Sequence, residues 1–161
     1  MKSKKLIFGI LVLTTILIIM QLPVSEADAA ASASDFKIEG STLVRYQGKD
    51  KNVSVPNTVD TIGRGAFEEN KNIELVVLPN SVKSIEPYAF WGCDNLDTVV
   101  LGKGLGEVGD YAFAGCKGLV QMTIPSNVTS IGIQAFGDCI NLKDISIPSE
   151  TGTIHETAFD G

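Results

Sequence analysis

Residues 76–90 read VVLPNSVKSIEPYAF, and the same pattern stands 23 residues upstream as VSVPNTVDTIGRGAF, residues 53–67. It returns as VVLGKGLGEVGDYAF at 99–113, MTIPSNVTSIGIQAF at 122–136 and ISIPSETGTIHETAF at 145–159, with no insertion or deletion between copies. Self-similarity at a fixed period of this length marks a repeat array: each unit is too small to bury its own apolar face and must stack on its neighbours. The units run 53–75, 76–98, 99–121, 122–144 and 145–161, the last incomplete.

The columns of the repeat have physical meaning. Val53, Val76, Val99, Met122 and Ile145, followed two residues on by Val55, Leu78, Leu101, Ile124 and Ile147, alternate as a half-buried strand does, so one strand per unit is expected. Pro56, Pro79, Gly102, Pro125 and Pro148 then end that strand, because proline has no ladder hydrogen to give and glycine weakens a strand. Ile62, Ile85, Val108, Ile131 and Ile154 form a second apolar column, and the Ala-Phe pairs at 66/67, 89/90, 112/113, 135/136 and 158/159 a third. Stretches such as SIEPYAFWG and EVGDYAFAG suit one or two helical turns. The expected fold is therefore an α/β solenoid: a short right-handed array of five 23-residue units, with a parallel strand face and a helical or irregular convex side. Residues 36–52 do not match the repeat, and within 32–52 a linker leads into a β-hairpin about Gly40 that caps the first unit, since a bare solenoid end exposes apolar columns and a strand edge.

The chain opens with a different chemistry. Lys2, Lys4 and Lys5 precede an uncharged, mostly Leu/Ile/Val run from Leu6 to Met20, Pro23 interrupts it, and SEADAAASASD offers small residues at cleavage spacing. This is the order of a secretory signal peptide over residues 1–31, cut between Ala29 and Ala33; an uncleaved anchor is the alternative. No membrane segment is expected in the exported domain after cleavage. The full chain has a net charge of −6, and losing three lysines and two acids makes the mature part more acidic still. That sign excludes a surface built to neutralise phosphates, so nucleic acid is not an expected partner.

The motif LxxVxLPxxVxxIxxxAFxxC, carried by Val76, Leu78, Pro79, Val82, Ile85, Ala89, Phe90 and Cys93 with Leu96 opening the next copy, resembles the BspA-like leucine-rich repeat family of bacterial surface proteins over residues 53–161. The hairpin ending LVRYQGKDKNVSVP resembles the entry segment of such arrays. The resemblance implies a secreted or cell-surface binding protein, some members being adhesins for host matrix or plasma proteins, with no catalytic residues and no cofactor to carry over.

Several residues tempt a chemical reading. Cys93, Cys116 and Cys139 each follow the Phe by three residues, in a column that Asn70 opens; stacked in register their Cβ atoms are too far apart for a bridge, so they read as buried free thiols acting as small hydrophobes. Three such Cys and one His make a poor zinc site. Gly104-Leu-Gly-Glu-Val-Gly109 spells a dinucleotide fingerprint, but no full helix follows and the glycines fill columns held one unit earlier by Ser81, Lys83 and Glu86. His155 stands in the column of Gly63, Glu86, Gly109 and Gly132, a solvent-facing turn without a nucleophile or orienting acid. The Asn52-Val-Ser and Asn127-Val-Thr triplets read as accidental glycosylation patterns.

What remains is a surface. Side chains alternate across a strand, so the outward columns are Asn52, Leu75, Thr98, Gln121, Asp144 and Ser54, Val77, Val100, Thr123, Ser146. An apolar middle between polar ends is a contact candidate, and Leu75, Val77, Thr98, Val100, Gln121 and Thr123 are the expected protein-binding face. Tyr88, Trp91 and Tyr111 form a second, aromatic candidate on the flanking side. The function expected is that of an exported, non-catalytic protein-binding module of interaction or adhesion type, secreted or at the cell surface. The alternative is a structural or assembly module that self-associates through its uncapped C-terminal unit.

Overall fold

Two strands per unit, stacked in separate parallel ladders, build the molecule. In the computed structural model, which describes residues 31–161, a 3-10 turn at Ala33–Asp35 leads into the antiparallel hairpin β1 (Phe36–Glu39) and β2 (Thr42–Tyr46). The expected signal peptide, residues 1–31, lies outside the described residues apart from Ala31. Beyond the hairpin the strands alternate: β3 (Asn52–Ser54), β4 (Thr61–Ile62), β5 (Leu75–Val77), β6 (Ser84–Ile85), β7 (Thr98–Val100), β8 (Glu107–Val108), β9 (Gln121–Thr123), β10 (Ser130–Ile131), β11 (Asp144–Ser146) and β12 (Thr153–Ile154). The fold is a β-solenoid of about five turns with almost no helix.

Odd-numbered strands from β3 form the expected strand face, with Val53, Val76 and Val99 in register and Met122 opposite Ile145. Even-numbered strands form a second ladder that runs β2-β4-β6-β8-β10-β12, with Leu43, Ile62, Ile85, Val108, Ile131 and Ile154 in one row. The single strand per unit expected from the apolar alternation is therefore half of the answer. A row of one inward residue per two-residue strand leaves no period-two signature to read.

The turns after the second ladder are not helical, and the backbone shows why. Gly65, Tyr88, Tyr111 and Gln134, then Glu69, Gly92, Gly115 and Asp138, have φ values between 43° and 72°. Two left-handed residues in each of the first four units interrupt any run of helical bonds. The backbone groups pair with the next unit instead: the Phe67, Phe90, Phe113 and Phe136 N–H groups donate to the carbonyls of Ala89, Ala112, Ala135 and Ala158 at 2.7–2.8 Å. The irregular side of the solenoid is thus a third set of inter-unit hydrogen bonds.

Between the three sides lies one continuous core. Phe67, Phe90, Phe113, Phe136 and Phe159 stack ring on ring at 4.8, 4.9, 5.3 and 5.4 Å, with the planes within 9° of parallel. Each fully buried ring contributes roughly 1.5–3 kcal/mol by removal from water. The stack extends below the first unit, for Tyr46 lies 5.3 Å from Phe67 and Phe36 lies 5.2 Å from Tyr46. The segment around β2, expected to stand outside the repeat, is an abbreviated unit: Leu43 fills the Ile62 row and Tyr46 the phenylalanine row.

Candidate protein-interaction face

The strand face displays the expected side chains, held at their middle by the core. Val53, Val76, Val99 and Met122 point inward and are buried, while Leu75, Val77, Thr98, Val100 and Gln121 are half-buried and Thr123 is exposed. Leu75, Val77 and Val100 do not stand free in water, as the outward columns alone suggest: in-register stacking lets each cover its neighbour. Asn52, Ser54, Asp144 and Ser146 at the two ends are exposed, so an apolar centre sits within a polar frame.

Charge is arranged in rows beside this face. Lys51 donates to Glu74 at 2.6 Å, and Lys71 to Asp94 at 2.6 Å with Lys117 on the other carboxylate oxygen at 3.5 Å. The hydrogen bond from Lys71 holds the Asp94 carboxyl below its ordinary range. An apolar residue breaks each row: in the third unit Val120 stands in the column of Lys51, Glu74, Asp97 and Lys143, and in the fourth Ile140 stands in that of Lys71, Asp94 and Lys117. Val120 and Ile140 are 46% and 67% exposed, the most exposed large apolar side chains among the described residues. Sequence reasoning missed both, although an apolar residue in an otherwise charged column is a visible signal.

The aromatic candidates divide. Tyr88 and Tyr111 stack at 5.0 Å with the Arg64 guanidinium 4.8 Å over Tyr88, forming a column on the turn side. Trp91 is 37% exposed and takes no part in that stack. The structure brings the two tyrosines together, but as a stacked pair in which Tyr88 is covered by Tyr111 and Arg64.

The remaining motif residues have structural employment. Cys93, Cys116 and Cys139 are buried free thiols, and each Sγ–H donates to the phenylalanine carbonyl 26 residues earlier at 3.0–3.1 Å. A hydrogen bond with Cys93, and then burial, push the Cys116 thiol well up; burial pushes Cys139 up to about 11. Neither is a ready nucleophile at neutral pH. Within the fingerprint-like run, a Cβ on Gly104 would fall on the Asn80 carbonyl oxygen, and one on Gly109 would lie 2.8 Å from the Pro87 nitrogen. These glycines let adjacent units approach. His155 is half-buried rather than solvent-facing, its Nδ1 accepting from the Thr157 N–H at 3.2 Å and lying 2.9 Å from the Thr157 hydroxyl, which closes the last turn. Asn127 spends its side-chain amide on the Lys103 carbonyl at 2.7 Å. An open groove of about 530 Å³ crosses the second ladder past Glu86, Asp110 and His155, but Glu86 accepts from the Arg64 N–H and Asp110 from the Ile133 N–H, both at 2.8 Å.

The sequence profile of the BspA type Leucine rich repeat region matches residues 42–161 in six copies. The chain belongs to this family. The match begins at Thr42, the first residue of β2, and so takes in the abbreviated unit whose Tyr46 joins the aromatic stack. No curated protein matches the chain. Among solved structures, the chain is similar to a T. pallidum leucine-rich repeat protein at 28% identity and TM-score 0.74, covering 78% of this chain and 63% of that one. It is also similar to a leucine-rich cell surface protein from Faecalibacterium prausnitzii at 36% identity and TM-score 0.71, covering 74% and 32%. A leucine-rich repeat protein from Bacteroides ovatus matches at 34% identity and TM-score 0.60, covering 66% and 29%. The chain therefore spans under two thirds of the first and about a third of the other two. Repeats of this family and fold are generally non-catalytic and commonly serve protein interaction.

Proposed function

We propose that this protein is exported, displayed at the cell surface or released, and binds a protein partner through its strand face without catalysis. The observation that carries the reading is the parallel face itself, with Leu75, Val77 and Val100 at its centre, Thr98, Gln121 and Thr123 beside them, and no charge between the polar ends. A desolvated apolar centre within a polar rim is how protein interfaces are built. Export is supported by the lysine-led apolar run and small-residue exit of residues 1–31, and surface display by the likeness to a protein described as a cell surface protein. The test is a triple substitution of Leu75, Val77 and Val100 by Thr, in the exported domain. The expected outcome is an unchanged circular dichroism spectrum and at least a roughly tenfold loss of affinity for a partner isolated with the native domain, about 1.4 kcal/mol. Unchanged affinity in a folded variant would reject this face.

A second reading, an assembly module, is favoured by the last turn, where Ile154 and Phe159 are 39% and 40% exposed and β12 pairs only with β10 among the described residues. Sedimentation over a range of concentrations tests it: self-association abolished by Ile154→Lys would favour assembly, and a monomer at all concentrations would remove it.

A further inference from the structure

The strand face is interrupted, and the second ladder is not. β3, β5 and β7 form one three-stranded sheet and β9 with β11 another, whereas β2 to β12 run unbroken on the opposite side. The equivalent amides make the gap plain. Leu75, Thr98 and Asp144 N–H donate to the Lys51, Glu74 and Val120 carbonyls of the unit before, but Gln121 N–H makes no such bond to Asp97. At the far end of the strands, Val55, Leu78 and Ile124 N–H donate to Val77, Val100 and Ser146, and Leu101 makes no such bond to Thr123.

Two other features coincide with the gap. Asn95 and Asn141 each clamp their unit to the one before through a side-chain bond to the Lys71 and Lys117 carbonyls, both at 2.7 Å. The intervening member of that column is Gly118, which has no side-chain amide to give and lies so close to the chain one unit earlier that a Cβ would stand 2.9 Å from the Asp94 carbonyl oxygen. The chain thus touches at Gly118 and parts at β9, three residues later. The aromatic stack also changes step here, from 4.9 Å between Phe90 and Phe113 to 5.3 Å between Phe113 and Phe136.

We propose that the array is hinged between its third and fourth units: β8 and β10, joined by ladder bonds, form the axis, and β7 and β9 open and close on the strand side. Rotation that keeps the second ladder and the turn-side bonds of Tyr111, Phe113 and Gly115 costs least at this junction, where the strand side has no ladder bonds to break. Leu75, Val77, Thr98 and Val100 lie on one side of the hinge, and Gln121 and Thr123 on the other. If those residues are the binding face, which rests on the function proposed above, the hinge sets the spacing between its two halves.

Distance measurement between paired spin labels tests the hinge without any partner. Asp97→Cys with Lys143→Cys places labels two units apart on the strand side across the gap, and Lys83→Cys with Thr129→Cys places them two units apart beside the second ladder; all four positions are exposed. The native thiols are buried, and the unsubstituted chain controls for their labelling. The strand-side distribution is expected to be about twofold or more the width of the second-ladder one. Equal narrow distributions would overturn the hinge, and equal broad ones would overturn it too, since the axis would then be as loose as the opening side. Unchanged affinity of the Leu75, Val77 and Val100 variant together with a broad strand-side distribution would fault the function and leave the hinge standing.

Discussion

Glu69 and Asp138 stand at φ of 53° and 54° in a column whose neighbours Gly92 and Gly115 stand at 68° and 72°. A side chain in that region costs about 1–2 kcal/mol, against which glycine loses roughly 0.5–1 kcal/mol of chain entropy on folding. Glu69→Gly is therefore expected to stabilise by about 0.5–1 kcal/mol, read as a higher urea midpoint with unchanged slope. The opposite sign holds at Gly102. Proline fills that column in the other four units, so the repeat pattern by itself favours Gly102→Pro. In the structure a Cβ there would fall on the Pro79 carbonyl oxygen and lie 2.5 Å from its carbon, backbone atoms that cannot swing aside. Gly102→Pro and Gly102→Ala should both destabilise, by at least about 1–3 kcal/mol in thermal or urea melts. At this scale the sequence was only half legible: inward columns announce themselves by hydrophobicity, but a positive φ at Tyr88 or Gln134 leaves no mark beyond the glycine at Gly65, one and three units away.

The phenylalanine and cysteine rows belong to the scale of elements, since each works only because its neighbours repeat it. Phe113 lies between Phe90 and Phe136 at 4.9 and 5.3 Å and is fully buried, so Phe113→Ala removes two stacking contacts and leaves a cavity in the middle of the row. A loss of about 3–5 kcal/mol is expected in urea unfolding. The cysteine row predicts a pH dependence. Cys116 and Cys139 hold their protons more tightly in the folded chain than the ordinary value of 9.0, Cys139 up to about 11. Below pH 9 the thiols are protonated in both states and this contribution is fully present; as the pH rises toward 11 the unfolded chain releases protons first, and stability falls. Thermal midpoints should therefore drop between pH 9 and 11, and the drop should be shallower in a Cys116→Ser, Cys139→Ser variant, whose hydroxyls can still donate to the Phe90 and Phe113 carbonyls. An identical slope in both proteins would show that the thiols are not its source. Tyr46, raised by burial and by its bond to Asp50, adds a loss of the same sign at higher pH. The cysteine row and the first strand of each unit were readable from spacing; the second ladder was not, because a two-residue strand has no alternation to detect, and turn residues such as Tyr88 and Asp138 look helical until their φ is known.

For the molecule as a whole, contacts run only between adjacent units, so stability propagates along the axis as a chain of nearest-neighbour couplings. The 23-residue period made that architecture legible, because equal spacing without insertion admits little else. Unequal coupling was not legible, since it depends on backbone approach at Gly118 and on bonds that β7 and β9 do not make. Three sides hold most neighbouring units together, but two hold the third to the fourth. The fourth unit is backed on its far side by a fifth that buries less: β11 is half-buried at its centre, where β5 and β7 are buried, and β12 is exposed. These units should open together ahead of the rest. Amide exchange on one column reads this directly, since Phe67, Phe90, Phe113 and Phe136 donate equivalent hydrogen bonds of 2.7–2.8 Å, and any difference among them reports opening rather than bond geometry. Protection is expected to be uniform for Phe67 and Phe90 and at least about tenfold lower for Phe136, a difference of about 1.4 kcal/mol in opening free energy. Phe113 N–H, which donates across the gap to Ala135, should exchange with Phe136 rather than with Phe90, because its acceptor leaves with the fourth unit. A column with even protection from end to end would mean that the array unfolds as a single cooperative body and that the missing ladder costs it nothing.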